Sequence, residues 1–463
     1  MAEWLRAFEG FWAGAVQVVW GLPFVCLLLG AGVFFTAASR FLPFWRWPHA
    51  WHILRGKFDR RDDPGEISHF AALATALAAT IGMGNIAGVA IAIGTGGPGA
   101  VFWMWVAGLV GMATKYFCCT LAVLHRKKDW HGVVQGGPMY FLEVGLGPWA
   151  RPLAVLFAAC GMIGCLALFQ MNQLAALLES DFGVPKAASG LTCMVLVGAV
   201  ILGGIVRVGT VSRWVVPAMV VLYFGSSLVI LGAHITRVPG VLAAIVSAAF
   251  GGGAVVGGAT GLALREVVIT GVRRAVFSNE AGIGTAPMAH GAARTAEPVR
   301  EGLIAMLGPL LDTHVVCTLT ALVILTTGVP YVPEQGVVMT MNAYASVMGE
   351  AGRYLLVLIT TLFALTTMIS YSYYSLKCAR YLFGERLGSK YIYVYLAALP
   401  LAALSRQTTV INIIDTCFAL MAIPNLTGTL LLSGEVLHAT RDYFARMARG
   451  GRVTARGRTP PRC

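Results

Sequence analysis

The chain has 463 residues, of which 57% are hydrophobic and only 12% charged, against about 25% charged in a typical soluble domain; a water-soluble enzyme or binding module is excluded. Net charge is +13, but the basic residues lie between apolar spans, where they set membrane topology instead of marking a nucleic-acid surface. The ten cysteines are scattered, mostly inside those spans, without zinc or redox spacing, so no disulfide framework or metal cluster is expected.

The first apolar span covers 12–38. The segment before it, MAEWLRAFEG, is not basic, and the run is too long for a cleaved signal, so it reads as a retained helix. The next, 68–95, contains AALATALAATIGMGNIAGVAIAIGTGG, long enough to cross a bilayer yet interrupted at Gly82-Met83-Gly84-Asn85. In lipid every backbone N–H and C=O needs a partner, so a helix opens at membrane depth only where it lines a cavity or holds a ligand. A helix that stops near Ile81 and restarts near Asn85 offers carbonyls of Ala78 to Ile81 to a cation and amides around Gly84 to an anion. Such discontinuous helices mark substrate and ion sites in secondary transporters. Close packing of a glycine-tolerant helix is the competing explanation.

Further spans fall near 99–124, 152–178, 188–206, 214–235, 240–275, 302–328, 353–379, 391–405 and 409–436, about eleven in all. Every second loop is basic: Arg40 to Arg61, then Arg126 to Lys128, Arg207 and Arg213, Arg273 to Arg300, Lys377 to Lys390, and the tail from Arg441. The positive-inside rule then places the amino terminus outside and the carboxyl terminus in the cytoplasm of a bacterial or archaeal inner membrane. The second series opens on another glycine-rich stretch, Gly251 to Gly253, Gly257, Gly258 and Gly261. Two interrupted segments in matching places predict an inverted repeat. The expected organisation is an extra helix and basic loop (1–65), two repeats (66–237 and 238–438) and a basic tail (439–463). The expected fold class is an all-α polytopic membrane protein.

The sequence resembles the alanine or glycine:cation symporters of the amino acid, polyamine and cation transporter superfamily. The resemblance is carried by IGMGNIAGVAIAIGTGGPGAVFWMWVAGLVGMATK (Ile81 to Lys115), GGPMYF (Gly136 to Phe141), FSNEAGIGTAPMAH (Phe277 to His290), Pro298 to Gly328, and LMAIPN (Leu420 to Asn425). It implies a five-plus-five inverted-repeat symporter carrying a small neutral amino acid with sodium and using no other cofactor. By the same resemblance, Gly82, Gly84 and Asn85 are substrate contacts. Carbonyls of Ala78 and Ile81 form half of a sodium site, and Phe363, Thr366 and Thr367 the other half; their i, i+3, i+4 spacing puts these three on one helix face. Gln170 and Asn172 match polar positions of the family and are assigned to the substrate, with hydrogen bonds between helices as the competing explanation for buried amides on an apolar span. Gly252, Gly253 and Gly257 would face the cavity from the second opening, where the lack of side chains favours small substrates. The chain departs from the family at Cys118, where glutamate is common, at Tyr371, where tryptophan is common, and at Ser375-Leu376, where glycine-glutamate is common; Tyr371 would be a smaller lid carrying a hydroxyl.

Lys115, Asp312 and Asp415 lie in apolar spans, and such residues face an interior and pair with one another. Asp312 is the candidate coupling carboxylate, with proton coupling as the alternative to sodium. Glu280, following Arg273 and Arg274, reads as a cytoplasmic gate or hinge. A membrane-embedded enzyme using Ser278, Asn279, Glu280 and His290 is a second alternative, opposed by the absence of a nucleophile–base motif. A channel is opposed by the absence of a filter motif.

Overall fold

The computed structural model describes residues 2–449, apart from 59, 61, 129–131, 133, 252–259 and 333–334. Among these residues the chain is almost wholly helical; its one sheet is the two-stranded antiparallel pair Lys127–Lys128 and Val134–Gln135. The expected tail beyond 449, and the glycines Gly252, Gly253, Gly257 and Gly258, lie outside the described residues.

The first span is a bent pair, α1 (Ala2–Val19) and α2 (Leu22–Ala38). Pro23 follows a break at Trp20-Gly21, and the two axes differ by 47°. The sequence reading had one helix here; proline near the start of α2 is tolerated because the first turn has no intrahelical acceptor for its missing N–H. The second span breaks in the middle: α3 (His69–Thr80), a wide π turn over Gly84–Gly88, then α4 (Val89–Gly96), with a 48° bend. The interruption therefore falls where the glycines predicted it.

The helices α5 (Gly99–Leu124), α6 (Arg151–Gly164), α7 (Leu168–Phe182), α8 (Lys186–Ile201), α9 (Gly204–Ala233) and α10 (Val238–Ala248) follow. Next come α11 (Thr260–Asn279), α12 (Ala286–His290) and α13 (Pro298–Ala305). A π segment, Leu310–Cys317, leads into α14 (Thr318–Thr327). The last helices are α15 (Val337–Ser389), interrupted by non-helical Gly349 and Gly384, α16 (Tyr391–Leu404), α17 (Gln407–Leu431) and the amphipathic α18 (Ser433–Ala448). Among the described residues, six helical stretches are long and apolar enough to cross a bilayer, eight if each bent pair counts as one, and α8, α16 and the Ile235–Ala248 segment are shorter apolar helices. This is the all-α, polytopic architecture expected.

Helices in lipid gain little from the hydrophobic effect against one another and associate through close packing of small residues. The nearly buried α5 shows this. A Cβ on Gly271 of α11 would lie 2.4 Å from the Ala100 carbonyl of α5, and one on Gly302 of α13 would lie 2.1 Å from Thr120 Oγ1. These glycines let α11 and α13 sit directly on α5, which brings the end of α11 against the break in the second span.

A candidate transport site where two helix breaks meet

At the first break Ile81 turns extended (φ −72°, ψ 97°), ending α3. Asn85 closes the gap with its own side chain: Oδ1 accepts from the Gly82 N–H at 2.8 Å. Its Nδ2 reaches across to donate to Asp312 Oδ1 at 2.7 Å. One buried amide thus satisfies the opened backbone and ties it to the Leu310–Cys317 π segment. Wide turns of this type cluster at functional sites.

Asp312 is fully buried, and its other oxygen accepts from Ser278 Oγ at 2.9 Å and Thr313 Oγ1 at 3.1 Å. Two of these partners, Asn85 and Ser278, come from distant spans and were not read from the sequence. Asp312 is therefore the junction of three elements. The pairing expected among Lys115, Asp312 and Asp415 does not occur among the described residues: Asp415 accepts a charged hydrogen bond from Arg274 instead. Lys115 is also buried, its Nζ 3.3 Å from where a Cβ on Gly308 would lie.

Ser278 lies at the end of α11, beside a second break. The backbone turns left-handed at Glu280 (φ 56°), Gly282 (φ 92°) and Gly284 (φ 100°) before α12 begins. Glu280, a strained position for a residue with a Cβ, is buried; its Oε1 accepts from Tyr371 OH at 2.5 Å and its Oε2 from Thr285 Oγ1 at 2.5 Å. This break, at 280–285, was not read from the sequence. The two breaks touch: a Cβ on Gly84 would lie 3.1 Å from Ser278 Cα and 3.4 Å from the Phe277 ring.

The long helix α15 supplies the remaining side chains. Thr367 Oγ1 donates to the Ala78 carbonyl at 3.0 Å, bringing together two residues assigned to one cation site. Gly82 packs on the same hydroxyl, since an added Cβ would sit 2.4 Å from Thr367 Oγ1 and 3.6 Å from the Phe363 carbonyl. Thr366 differs: its hydroxyl donates back to Leu362 and Phe363 carbonyls at 2.9 and 3.1 Å, the usual habit of a helical threonine.

On α7, Gln170 is buried and its Oε1 has no partner among the described residues. The neighbouring Phe169 meets Phe277 edge-on at 4.9 Å, which places this end of α7 beside α11. Asn172, expected at the substrate, instead donates to the Ala402 and Ser405 carbonyls at 3.1 and 2.7 Å. It joins α7 to α16, because those carbonyls close a helix C-terminus and need donors. Hydroxyls also meet the π turn: Thr320 Oγ1 donates to the Asn85 carbonyl at 2.7 Å, with Tyr223 OH within 2.5 Å of Thr320.

Two interrupted helices are apposed inside the bundle and lined by hydroxyls, amides and carbonyls, the groups that a small polar solute and a hard cation require, which makes this the candidate site. The model of the sodium:alanine symporter family matches residues 6–456. The chain belongs to that family. It is 42% identical over 442 residues to the sodium/alanine symporter AgcS of Methanococcus maripaludis, covering 92% of this chain and 95% of that one. It is 36% identical to a probable sodium/glutamine symporter, GlnT, of Bacillus subtilis, covering 93% and 89%, and 41% identical to an uncharacterized transporter of Haemophilus influenzae, covering 93% and 94%. The crystal structure of MhsT in complex with L-phenylalanine shares the fold, with a TM-score of 0.59 at 11% identity, over 82% of this chain and 93% of that one. This member of the symporter family is thus a multi-pass membrane transporter of the amino acid:cation symport class, and not an enzyme.

Proposed function

We propose that the protein imports a small neutral amino acid together with sodium, by alternating access through the two breaks. The observation that carries this is the Asn85–Asp312–Ser278 junction, which links both broken helices through one carboxylate. With both carboxylates ionised, Asp312, Glu280 and Lys115 sum to one negative charge, which a bound sodium ion would balance. Sodium is assigned to the Ala78 and Ile81 carbonyls with Phe363, Thr366 and Thr367 of α15, and Thr367 is the hydroxyl best placed to turn toward an ion shared with Ala78.

The substrate carboxylate would meet backbone amides between Gly82 and Asn85, where a restarting helix carries partial positive charge. Its ammonium would meet Gln170 Oε1, a buried acceptor with no partner among the described residues, and carbonyls of the 280–285 break. Tyr371, held by Glu280, would bound the side-chain end of the site. Ion binding at Ala78 and Thr367 would fix the end of α3 and so complete the adjacent substrate contacts. The bundle carrying the breaks would then rock against the scaffold, between an external face and a cytoplasmic face bearing the basic loops; Arg273 and Arg274, read from the sequence with those loops, lie within α11 instead. The two halves, 66–237 and 238–438, are read as the inverted repeats, with protomer association left out of the scheme.

One sodium ion suffices energetically. Moving a unit charge through about 100 mV yields about 2.3 kcal/mol, and a tenfold gradient adds about 1.4 kcal/mol. Together they support accumulation of a zwitterion by roughly several hundredfold. The relatives named for alanine and glutamine frame the substrate class, and alanine or glycine is the proposed substrate. The test is uptake of labelled alanine and glycine into proteoliposomes under an inward sodium gradient, compared with potassium at equal potential and pH. Uptake that needs sodium supports the reading; uptake indifferent to sodium and driven by a pH gradient would replace it with proton coupling.

A further inference from the structure

The segment that follows α2 turns its large rings outward. The chain is left-handed at Arg40 and Phe41 (φ 55° and 58°), then forms two short helices, Leu42–Trp45 and Trp47–Leu54. Their inward side is compact and carries no large ring: Leu42, Pro43, Ala50 and Ile53 are buried. Trp45, Trp47 and Trp51 are 75%, 56% and 47% exposed, and the i, i+4 spacing of the last two puts them on one helix face. In water this arrangement would leave the largest side chains of the segment unburied. Directly after a membrane span it is the pattern of a segment lying in the bilayer interface, where tryptophan is favoured.

The same segment is cationic without relief. Residues 40–58 contain no Asp or Glu, while Arg40, Arg46, Arg55 and Lys57 are all exposed. None of these four has an acidic partner among the described residues, whereas cations elsewhere on the surface do: Lys186 pairs with Glu179 at 3.1 Å, Arg353 with Glu350 at 3.1 Å and Arg406 with Glu9 at 3.0 Å. Two of the guanidiniums lie over rings instead, Arg46 at 4.2 Å from the Phe444 ring of α18 and Arg55 at 5.4 Å from that of Trp51. Stacking of this kind orders a guanidinium and leaves its charge uncompensated. A 2.8 Å hydrogen bond between His49 and Tyr443 fastens the segment to α18, so its rings and charges are held in place on the outer side.

We propose that this face binds anionic phospholipid, with headgroup phosphates on Arg46, Arg55 and Lys57 and acyl chains against Trp47 and Trp51. Arg46 and Arg55 are nine residues apart, about 13.5 Å along a helix, so they hold separate headgroups. Charge complementarity selects the lipid: four cations with no acid among them favour a net negative headgroup, and a zwitterionic one brings a cation of its own. The flanking rings select a phospholipid over a soluble anion, which would gain nothing from them. Each cation near an anionic surface contributes about a fivefold gain in binding at most, reduced by salt at exposed positions, so the set is expected to prefer anionic over zwitterionic lipid by at least about tenfold.

The test is tryptophan fluorescence of the full-length protein in phosphatidylcholine vesicles containing a minority of phosphatidylglycerol, with one lipid or the other brominated. Bromine quenches the rings it touches, so the two quenching curves give the preference of the protein for one lipid over the other. The tenfold preference for phosphatidylglycerol should fall to near parity in the triple variant Arg46→Gln, Arg55→Gln, Lys57→Gln. It should survive in Arg46→Lys with Arg55→Lys, which keeps the charges and loses the guanidinium stacking. Trp47→Phe with Trp51→Phe should remove the excess quenching by phosphatidylglycerol and so locate it. Should the triple variant fail to fold, the exposed Arg55→Gln and Lys57→Gln, made singly, should each lower the preference at least about twofold. Equal quenching by the two lipids overturns the proposal and leaves an ordinary aromatic belt. A preference that persists without the three charges, or without the two rings, overturns it by placing the anionic lipid elsewhere. Loss in the lysine variant as large as in the glutamine variant overturns the charge argument, and loss on adding excess soluble glycerol phosphate overturns the lipid in favour of a free anion.

Discussion

Asn85 and Asp312, 227 positions apart in sequence, are joined by a 2.7 Å hydrogen bond that donates from the same amide whose oxygen caps Gly82. The backbone of the first break and the carboxylate that receives the second are thereby a single unit. Asp312 also accepts from Ser278, so hydrogen bonds through side chains run from one break to the other.

Removing that amide should be costly in two ways. In Asn85→Ala the Gly82 N–H and an Asp312 oxygen lose buried partners, at about 1–3 kcal/mol for each unsatisfied group. The melting temperature should fall, and alanine uptake should drop by at least about tenfold. Asn85→Asp should be worse still, since two carboxylates would face each other across the junction. Thermal melts in detergent alongside uptake check both.

Sodium dependence should separate the two threonines. Thr367→Ala removes the hydroxyl 3.0 Å from the Ala78 carbonyl, and its half-saturating sodium concentration should rise at least about tenfold. Thr367→Ser should stay near the parent protein. Thr366→Ala should shift less, because that hydroxyl already serves its own helix at 2.9 Å. Sodium titrations of initial uptake rates give all three values.

Tyr371 carries a substitution relative to the family pattern, and its hydroxyl is bonded to Glu280 in the second break. Tyr371→Phe leaves that carboxylate with Thr285 as its remaining hydroxyl donor. Stability should fall by about 1–3 kcal/mol. The ranking of alanine, glycine and glutamine as competitors of uptake should change with it. Tyr371→Trp, restoring the bulkier aromatic, should shift the ranking toward smaller substrates.

Acid stability should depend on a histidine far from the site. His49, in the short helix Trp47–Leu54, hydrogen-bonds Tyr443 at 2.8 Å. Burial, then the cations Arg46, Arg300, His52 and Lys57, lower its pKa from 6.5 to about 4. The unfolded chain therefore binds a proton that the folded protein refuses between those values. Stability is fully present above pH 6.5 and is lost as the pH falls toward 4. His49→Gln should flatten the melting-temperature profile over that window, as followed by thermal melts from pH 4 to 7.

The first break was legible because Gly82-Met83-Gly84-Asn85 interrupts an apolar run, where only a membrane cavity explains opened backbone. The second was not. Phe277 to Thr285 is polar and follows two arginines, so it resembled a loop, while the glycines from Gly251 drew the assignment to a stretch outside the described residues. The π segment around Asp312 carries neither glycine nor an internal proline, and its one signal was an acid in an apolar span. Long-range partners such as Ser278 for Asp312 and Arg274 for Asp415 depend on how spans pack, which periodicity does not encode. Asn172 is a further case: its polarity was visible, but the α16 terminus that it bonds was not.

The central claim is that the two breaks form one sodium-coupled amino-acid site. The most direct measurement is charge movement on a solid-supported membrane when alanine is added to proteoliposomes at constant pH. Alanine is net neutral, so an inward positive current in sodium, absent in potassium and reduced in Thr367→Ala at the same sodium concentration, is the expected result. An alanine-evoked current that is equal in potassium and follows the pH gradient would contradict the account.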